Sequence, residues 1–228
     1  MKEKNKKIAF FDLDGTLVSC HLWLGLLKYY LKRRENLFWP SWYFISHIFL
    51  TPLWLSHLIS KEKYYRAWGK DLAMMVKGIK KERGKEIWTW VVDQYLLPSL
   101  KVKVLERLQN HQKQGYITIL TSTGFQEILE IIKTRLHFDY AVGTRLEIVE
   151  DRYSGRIIPP LCFNEGKLER IKELLKEKDI AIDFEKSFAY SDSIFDLPVL
   201  QLVAHPVAVE PDKELRKLAK AKNWTIIE

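Results

Sequence analysis

Short runs of consecutive apolar residues alternate along the chain with longer stretches whose apolar residues recur at helical spacing. The short runs are typical of strands buried on both faces of a parallel sheet, and they cover residues 7–13, 116–121, 187–191 and 205–209. The amphipathic stretches are typical of helices packed on such a sheet, and they cover residues 100–114, 125–136, 166–178 and 212–222. This alternation predicts an α/β fold with a doubly wound, mostly parallel sheet whose ligands bind at the carboxyl ends of the strands.

Two segments depart from the alternation. Residues 19–95 contain 16 of the 29 aromatic residues and seven of the eight tryptophans, without a strand pattern, and predict a helical insertion after the first strand. Residues 146–158 predict an antiparallel hairpin beside the sheet. We therefore expect a core made of residues 1–18 and 96–228, and an all-helical cap subdomain made of residues 19–95.

Pairs of acidic residues follow two of the predicted strands. Asp12 and Asp14 come directly after the first run, and Asp192 and Asp196 come after the third. Neighbouring strand ends would bring up to four carboxylates together, and like charges a few Å apart cannot all ionise freely. A hard cation such as Mg²⁺ and a lysine are the expected compensation, and Lys167 is a candidate lysine. The alternatives are an acidic turn without function and a lysine on a solvated helix face.

Hydroxyl groups follow the second run. Thr121, Ser122, Thr123 and Gly124 precede a predicted helix, and backbone N–H groups at a helix N-terminus readily bind phosphate. The alternative interpretation is a simple helix N-cap.

Composition and charge limit the kinds of binding partner and the cellular location that the sequence predicts. The chain has 37 Lys and Arg against 29 Asp and Glu, a net charge of +8, which permits anionic partners. These basic residues are spread along the whole chain, so we expect no nucleic acid partner. Cys20 and Cys162 follow no metal-binding spacing. The apolar run of residues 8–11 ends at Asp12 and is too short for a signal peptide, so we expect a cytoplasmic protein.

Four segments in order carry a family resemblance: FFDLDGTLV, TSTG, NEGKLERI with its lysine, and YSDSIFDLPVL. They resemble the four motifs of the haloacid dehalogenase-like hydrolase superfamily, and in particular its subfamily IB, which includes phosphoserine phosphatase-like enzymes. That branch has a Rossmann-like core, a helical cap after the first motif, and a hairpin before the lysine motif. The insertion of residues 19–95 and the segment of residues 141–157 stand at the corresponding positions.

The resemblance implies a Mg²⁺-dependent phosphatase that hydrolyses a phosphomonoester. Asp12 would be the nucleophile that forms an aspartyl-phosphate, and Asp14 would be the general acid and base. Mg²⁺ would bind to the side chains of Asp12 and Asp192 and to the backbone carbonyl of Asp14. Asp196 would be an auxiliary metal ligand.

The resemblance also implies the residues that bind phosphate. Ser122 would hold a phosphoryl oxygen, and Lys167 would offset the negative charge. Thr16 and Gly124 would add a hydroxyl and a backbone N–H. Thr121 is the alternative to Ser122, and matching Gly124 to the family's Gly-Phe pair favours Ser122. A non-catalytic membrane or protein adaptor that retains the fold is the alternative from a different class.

An uncharged stretch lies within the predicted cap. Residues 36–60 contain no Asp, Glu, Lys or Arg, and 15 of the 23 residues at 37–59 are apolar. The stretch is long enough to cross a bilayer. A single crossing, however, would separate Asp12 from Lys167 and Asp192, and no second span brings the chain back.

Two interpretations of residues 37–59 remain. One is a pair of cap helices, broken near Pro52, that bury their apolar faces against each other and the rest of the cap. The other is a re-entrant or interfacial hairpin at an anionic membrane surface, because its aromatic residues are of the type enriched at headgroup level and basic residues flank it. We slightly favour membrane contact, which would place the protein peripherally on the inner face of the cytoplasmic membrane.

The predicted substrate depends on this choice. Phosphoserine phosphatases of the branch carry an acidic residue nine positions after the nucleophile, and this chain has His21 there. The long apolar cap resembles the phosphatidylglycerophosphatase C-like members of the branch. We therefore favour a lipid phosphate such as phosphatidylglycerophosphate, with a small soluble phosphate ester as the alternative.

Overall fold

The computed structural model describes residues 5–35 and 37–228. Residues 1–4, which begin the predicted core segment, and Asn36, in the uncharged stretch, lie outside the described residues. Seven strands form one sheet, and they are β1 (Ile8–Asp12), β2 (Ile117–Phe125), β3 (Tyr140–Val149), β4 (Arg152–Ile158), β5 (Phe188–Ser191), β6 (His205–Val209) and β7 (Thr225–Ile227). Their spatial order is β4-β3-β2-β1-β5-β6-β7.

All neighbouring strands are parallel except β3 and β4, so the predicted mostly parallel α/β sheet is confirmed. The hairpin differs from the prediction. β3 first pairs in parallel with β2, from Tyr140 to Thr144, and then pairs with β4 from Arg145 onward. The hairpin is therefore the edge of the main sheet rather than an excursion beside it.

Ten α-helices occur in the described residues. They are α1 (Leu22–Arg33), α2 (Phe38–Ile48), α3 (Leu50–Leu55), α4 (Lys61–Asp71), α5 (Lys81–Val91), α6 (Val102–Lys113), α7 (Gln126–Leu136), α8 (Glu165–Glu177), α9 (Leu197–Leu200) and α10 (Lys213–Ala221). The four predicted amphipathic stretches are helices whose ends differ by one or two residues from the prediction. In the described part of the chain, no strand of the sheet lies between β1 and β2, and the division into cap and core stays a prediction.

The sheet has an apolar core on each face, because neighbouring residues of β1 point to opposite sides. Ile8 and Phe10 pack in one core with residues of α8, α9 and α10. Ala9 and Phe11 belong to the other core, which also contains Leu22 of α1. The helices inserted after β1 therefore share one continuous apolar core with the sheet.

The uncharged stretch forms α2 and α3, and the two helices meet at Phe49 rather than near Pro52. Tyr43 and His47 are buried, whereas Phe38 and Phe49 are 67% and 72% exposed. The interpretation that both helices bury their apolar faces is therefore wrong, because the apolar residues on the outer side of α2 and α3 are exposed. None of the helices in residues 5–35 and 37–228 combines the length and the apolar character needed to span a membrane.

A buried histidine packs beneath the central strands. The His111 ring lies edge-on to Phe11 and Tyr116, and its Nε2 is 2.8 Å from the Tyr190 hydroxyl. Burial lowers the pKa of His111 to about 4, with nearby Arg107 as a smaller cause. The folded protein therefore disfavours the charged imidazolium.

We expect the contribution of His111 to the free energy of unfolding to fall between pH 7 and pH 5. In the unfolded chain this histidine takes up a proton near pH 6.5, whereas folded His111 stays neutral until about pH 4. Lowering the pH from 7 to 5 therefore lowers the His111 contribution to the free energy of unfolding by about 1–2 kcal/mol. His111→Gln should remove that part of the pH dependence in urea unfolding curves. The exposed His57→Asn variant controls for loss of a histidine as such. Equal pH dependence in His111→Gln and the parent protein would contradict the assignment.

Candidate active site

The central strand β1 and its neighbour β5 bring the two acidic segments to one edge of the sheet. Asp12 is the last residue of β1 and pairs in register with Thr121 of β2. β5 pairs with β1 on the other side and ends at Ser191, directly before Asp192. The predicted adjacency of the two strand ends is therefore present in the fold.

Lys167 links two of the carboxylates. It lies in the first turn of α8 and is only 2% exposed. Its Nζ is 2.9 Å from Asp12 Oδ1 and 2.5 Å from Asp196 Oδ1. Burial lowers the pKa of the Lys167 ammonium, but the two carboxylates more than offset this and raise it above its ordinary value. The lysine is therefore charged, and it is no solvated helix-face residue.

Asp196 has partners on both of its oxygens. Besides the contact with Lys167, its Oδ2 accepts a hydrogen bond of 2.7 Å from the Ser191 hydroxyl. This arrangement fits a residue that holds the lysine in place. Direct metal ligation by Asp196 stays a prediction.

The loop after β1 approaches Asp192 closely. The Thr16 hydroxyl donates a hydrogen bond of 2.9 Å to Asp192 Oδ1. Gly15 has a φ of +80°, and a Cβ at this position would lie 2.3 Å from Asp192 Oδ2. Glycine is therefore required here both by the backbone conformation and by the closeness of the carboxylate.

Asp14 lies where the inserted helices meet the sheet. Its Oδ1 accepts a hydrogen bond of 2.7 Å from the backbone N–H of Leu22, the first residue of α1. Burial raises the pKa of Asp14, although the Leu22 N–H and, more weakly, the Ser122 hydroxyl favour its ionised form. Asp14 is therefore predisposed to carry a proton.

The hydroxyl segment differs from the prediction. β2 continues through Thr121 to Phe125 with an irregular register, and the N-cap of α7 is Phe125, which makes no side-chain cap. The N-cap interpretation is therefore wrong. Ser122 Oγ accepts a hydrogen bond of 2.9 Å from the Gly124 N–H, whereas the Thr121 hydroxyl donates to the Phe11 carbonyl. This geometry favours Ser122 over Thr121 as the phosphate-binding hydroxyl.

The acidic cluster has the chemistry of a site for a divalent cation. Burial raises the pKa of Asp12 well above its ordinary value and that of Asp192 to about 6, so negative charge is undercompensated there. Within the described ranges, no group of three or more His, Cys, Asp or Glu side chains could hold a metal ion by itself. The predicted donors are two carboxylates, Asp12 and Asp192, and the Asp14 carbonyl. This all-oxygen set fits Mg²⁺, which takes few protein ligands and keeps several waters.

Sequence reasoning missed two contributors to this site. Ser191 positions Asp196, and the Leu22 N–H holds Asp14. A hydroxyl at the end of the β5 run was a visible signal for Ser191. The role of Leu22 depends on a backbone group and on how α1 enters the fold, and no residue type could reveal it.

The mostly parallel α/β sheet thus carries Asp12 at the end of β1, Asp14 just after it, a buried lysine and two aspartates after β5, a set suited to a divalent cation and an anionic substrate. A sequence model described as haloacid dehalogenase-like hydrolase matches residues 9–201. The chain belongs to this family, and it is a phosphoric monoester hydrolase.

Known proteins are similar to this chain in sequence or in fold. A histidinol-phosphatase from Neisseria meningitidis is 30% identical, and the match covers 97% of this chain and 98% of that protein. A protein of unknown function from Bordetella pertussis has the same fold, with a TM-score of 0.83, 24% identity and 99% of each chain covered. The fold of a phosphoserine phosphatase, solved as a phospho-aspartyl intermediate analogue, matches with a TM-score of 0.65 and 19% identity, over 99% of this chain and 94% of that one.

A substitution of Gly15 should show two effects: backbone strain, which lowers stability, and crowding of Asp192, which lowers activity. We expect Gly15→Ala to lower the free energy of unfolding by about 1–2 kcal/mol and to reduce phosphatase activity at least about tenfold, because the new methyl group displaces the carboxylate. Gly115→Ala is the matched control, with a φ of +70° and no atom within 4 Å of its Cβ. It should lose stability but keep its activity. Equal activity in the two variants would contradict the crowding argument.

Proposed function

We propose that this protein hydrolyses a phosphomonoester in the presence of Mg²⁺, through an aspartyl-phosphate on Asp12. The observation that carries this proposal is the buried contact of Lys167 with Asp12 and Asp196, at the sheet edge where Asp192 also lies. Mg²⁺ held by Asp12, Asp192 and the Asp14 carbonyl would supply the positive charge that lets an anionic phosphate approach these carboxylates.

The first half-reaction transfers the phosphoryl group to the enzyme. A carboxylate oxygen of Asp12 attacks phosphorus, and the bond between phosphorus and the ester oxygen breaks. Asp14 donates its proton to that oxygen, so that the alcohol leaves uncharged. The raised pKa of Asp14 supports this role. The ammonium of Lys167 offsets the charge that accumulates on the nucleophile and the phosphoryl oxygens.

The second half-reaction regenerates the enzyme. A water molecule attacks phosphorus, Asp14 accepts its proton, and the bond between phosphorus and Asp12 breaks to release inorganic phosphate. The Ser122 hydroxyl and the Gly124 N–H, which bond to each other in the structure, would turn to phosphoryl oxygens when phosphate is bound. Thr16 would keep Asp192 oriented through its hydrogen bond.

Substrate entry requires the inserted helices to move. Asp12, Ser122 and Lys167 are all buried. Leu22 of α1 packs against Gly124, and Gly69 of α4 lies against Thr123, so both helices cover the candidate site. A closed site excludes water and strengthens the electrostatic interactions that a phosphoryl transfer needs.

Asp12→Asn should abolish turnover and preserve the fold. The amide is nearly isosteric but is a poor nucleophile, so we expect hydrolysis of an aryl phosphate with Mg²⁺ to fall about a thousandfold or more. Rapid acid quenching of the parent protein should yield a phosphorylated peptide that contains Asp12, and the variant should yield none. Asp179→Asn, at a turn with positive φ that asparagine accepts, is the matched control. Near-normal turnover by Asp12→Asn would rule out the nucleophile assignment.

A lipid phosphate is the substrate that we favour. The exposed apolar residues of α2 and α3 support it, because they offer a surface on which acyl chains can be accommodated. A small soluble ester such as histidinol phosphate is the second candidate, supported by the match to the Neisseria protein over nearly the whole of both chains. Phosphoserine is disfavoured, since His21 stands where the phosphoserine phosphatases that the chain resembles carry an acidic residue for the ammonium group.

A substrate panel should separate the two candidates. We expect a higher kcat/KM, by about tenfold or more, for phosphatidylglycerophosphate or lysophosphatidate in vesicles than for histidinol phosphate, phosphoserine or sugar phosphates. Each assay contains Mg²⁺, and Asp12→Asn serves as the blank. A higher kcat/KM for histidinol phosphate than for both lipids would rule out the lipid substrate but leave the proposed phosphatase activity in place.

A further inference from the structure

The outer side of α2 and α3 is an exposed apolar surface, which we call the apolar face. In α2 the exposed apolar residues recur every three or four positions, so that they form one stripe along the helix. Its large exposed members are Leu37, Phe38, Trp42, Ile45, Ile48, Phe49, Leu53, Leu55 and Leu58. A contiguous apolar surface of this kind marks an interaction site rather than ordinary surface variation.

The opposite side of α2 explains why this stripe cannot turn inward. Tyr43 is buried, and its hydroxyl donates to the Trp68 carbonyl of α4. Buried His47 donates a hydrogen bond of 2.7 Å from Nδ1 to the Tyr43 carbonyl, and its Nε2 is 3.4 Å from Asp71. The two contacts with α4, from Tyr43 to Trp68 and from His47 to Asp71, fix the rotation of α2 about its axis. The apolar face is therefore held outward.

The charged residues that flank the apolar face in the sequence are mostly basic. Residues 37–59 carry none, and the ten residues on either side of them contain seven Lys and Arg against two Asp and Glu. Lys32, Arg33 and Lys63 are among those that are exposed. An apolar surface with a cationic border is complementary to an anionic lipid bilayer. A second copy of the chain would instead bring like charges together around the same face.

Aromatic contacts connect the apolar face to the candidate active site. Trp54 of α3 stacks on Tyr64 of α4 with 4.8 Å between ring centroids. The neighbouring Tyr65 packs at 5.5 Å on Phe195, which directly precedes Asp196. Lys61 also lies over the Phe195 ring. A lipid headgroup at the edge of the apolar face is therefore only a few side chains away from the residues that hold Lys167.

We infer that the apolar face docks the protein onto the surface of an anionic membrane, with α2 and α3 lying in the interface plane. Docking would bring the cap side of the candidate site to the lipid headgroups, where a lipid phosphate enters without leaving the bilayer. The benefit of docking rests on the proposed phosphatase function. Docking itself needs only the apolar face and its cationic border, so the two can be tested separately.

Vesicle co-sedimentation at low salt tests the inference. We expect the full chain to bind phosphatidylcholine vesicles that contain phosphatidylglycerol, and to bind pure phosphatidylcholine much more weakly. The double variant Ile45→Ser with Phe49→Ser should lose about tenfold or more in binding. The matched control, Val149→Ser with Phe184→Ser, removes exposed apolar residues elsewhere and should bind as the parent does. Both double variants should hydrolyse a soluble aryl phosphate at the parental rate.

The outcomes distinguish docking from catalysis. Asp12→Asn should bind vesicles like the parent protein, so a loss of turnover leaves the docking result intact. Absence of binding to the anionic vesicles, or equal loss in both double variants, would overturn docking. A vesicle-free dimer that only the Ile45 and Phe49 double variant dissociates, without vesicle binding by the parent, would also overturn it and identify the face as an interface between copies.

Discussion

One buried ammonium group between two carboxylates organises the catalytic end of this protein. Lys167 is held by Asp12 and Asp196. Both carboxylates are buried, so water solvates their charge only weakly. Removing one member of such a cluster leaves an uncompensated buried charge, which costs about 3–5 kcal/mol in other proteins. The position of α8 and the pairing of β5 beside β1 are therefore coupled through electrostatics as well as through apolar packing. The same cluster is still more negative than positive, so it favours a divalent cation and an anionic substrate together.

The sequence was sufficient for the parallel part of the sheet and for the acidic edge, because both follow from local patterns. Continuous apolar runs predicted the parallel strands, and Asp12 and Asp192 came directly after two of them. Ser191 and the Leu22 N–H were missed, because their roles depend on which atoms lie opposite them in the folded chain. The pattern of residues 146–158 predicts a hairpin but does not indicate which strand of the sheet the hairpin pairs with, so its place at the sheet edge was not predicted.

The uncharged stretch shows a different limit. Its aromatic and aliphatic residues were compatible both with a buried helix pair and with an interfacial one, since composition does not reveal which face is turned inward. The structure separates the two through Tyr43 and His47, whose polar contacts with Trp68 and Asp71 of α4 orient α2. Thus a few buried polar atoms decide where the large apolar side chains of α2 point. Such contacts join residues that are distant in the sequence, so hydrophobic periodicity cannot reveal them.

The position of β1 in the sheet has a consequence for how the protein is made. This strand is the first to be synthesised, yet it is flanked by β2 and by β5, and the contact between Asp12 and Lys167 spans 155 residues. A nascent chain that has emerged only as far as β4 lacks both β5 and the lysine. The catalytic edge therefore assembles only after the chain through Asp196 has left the ribosome, and until then both apolar faces of β1 need protection from aggregation.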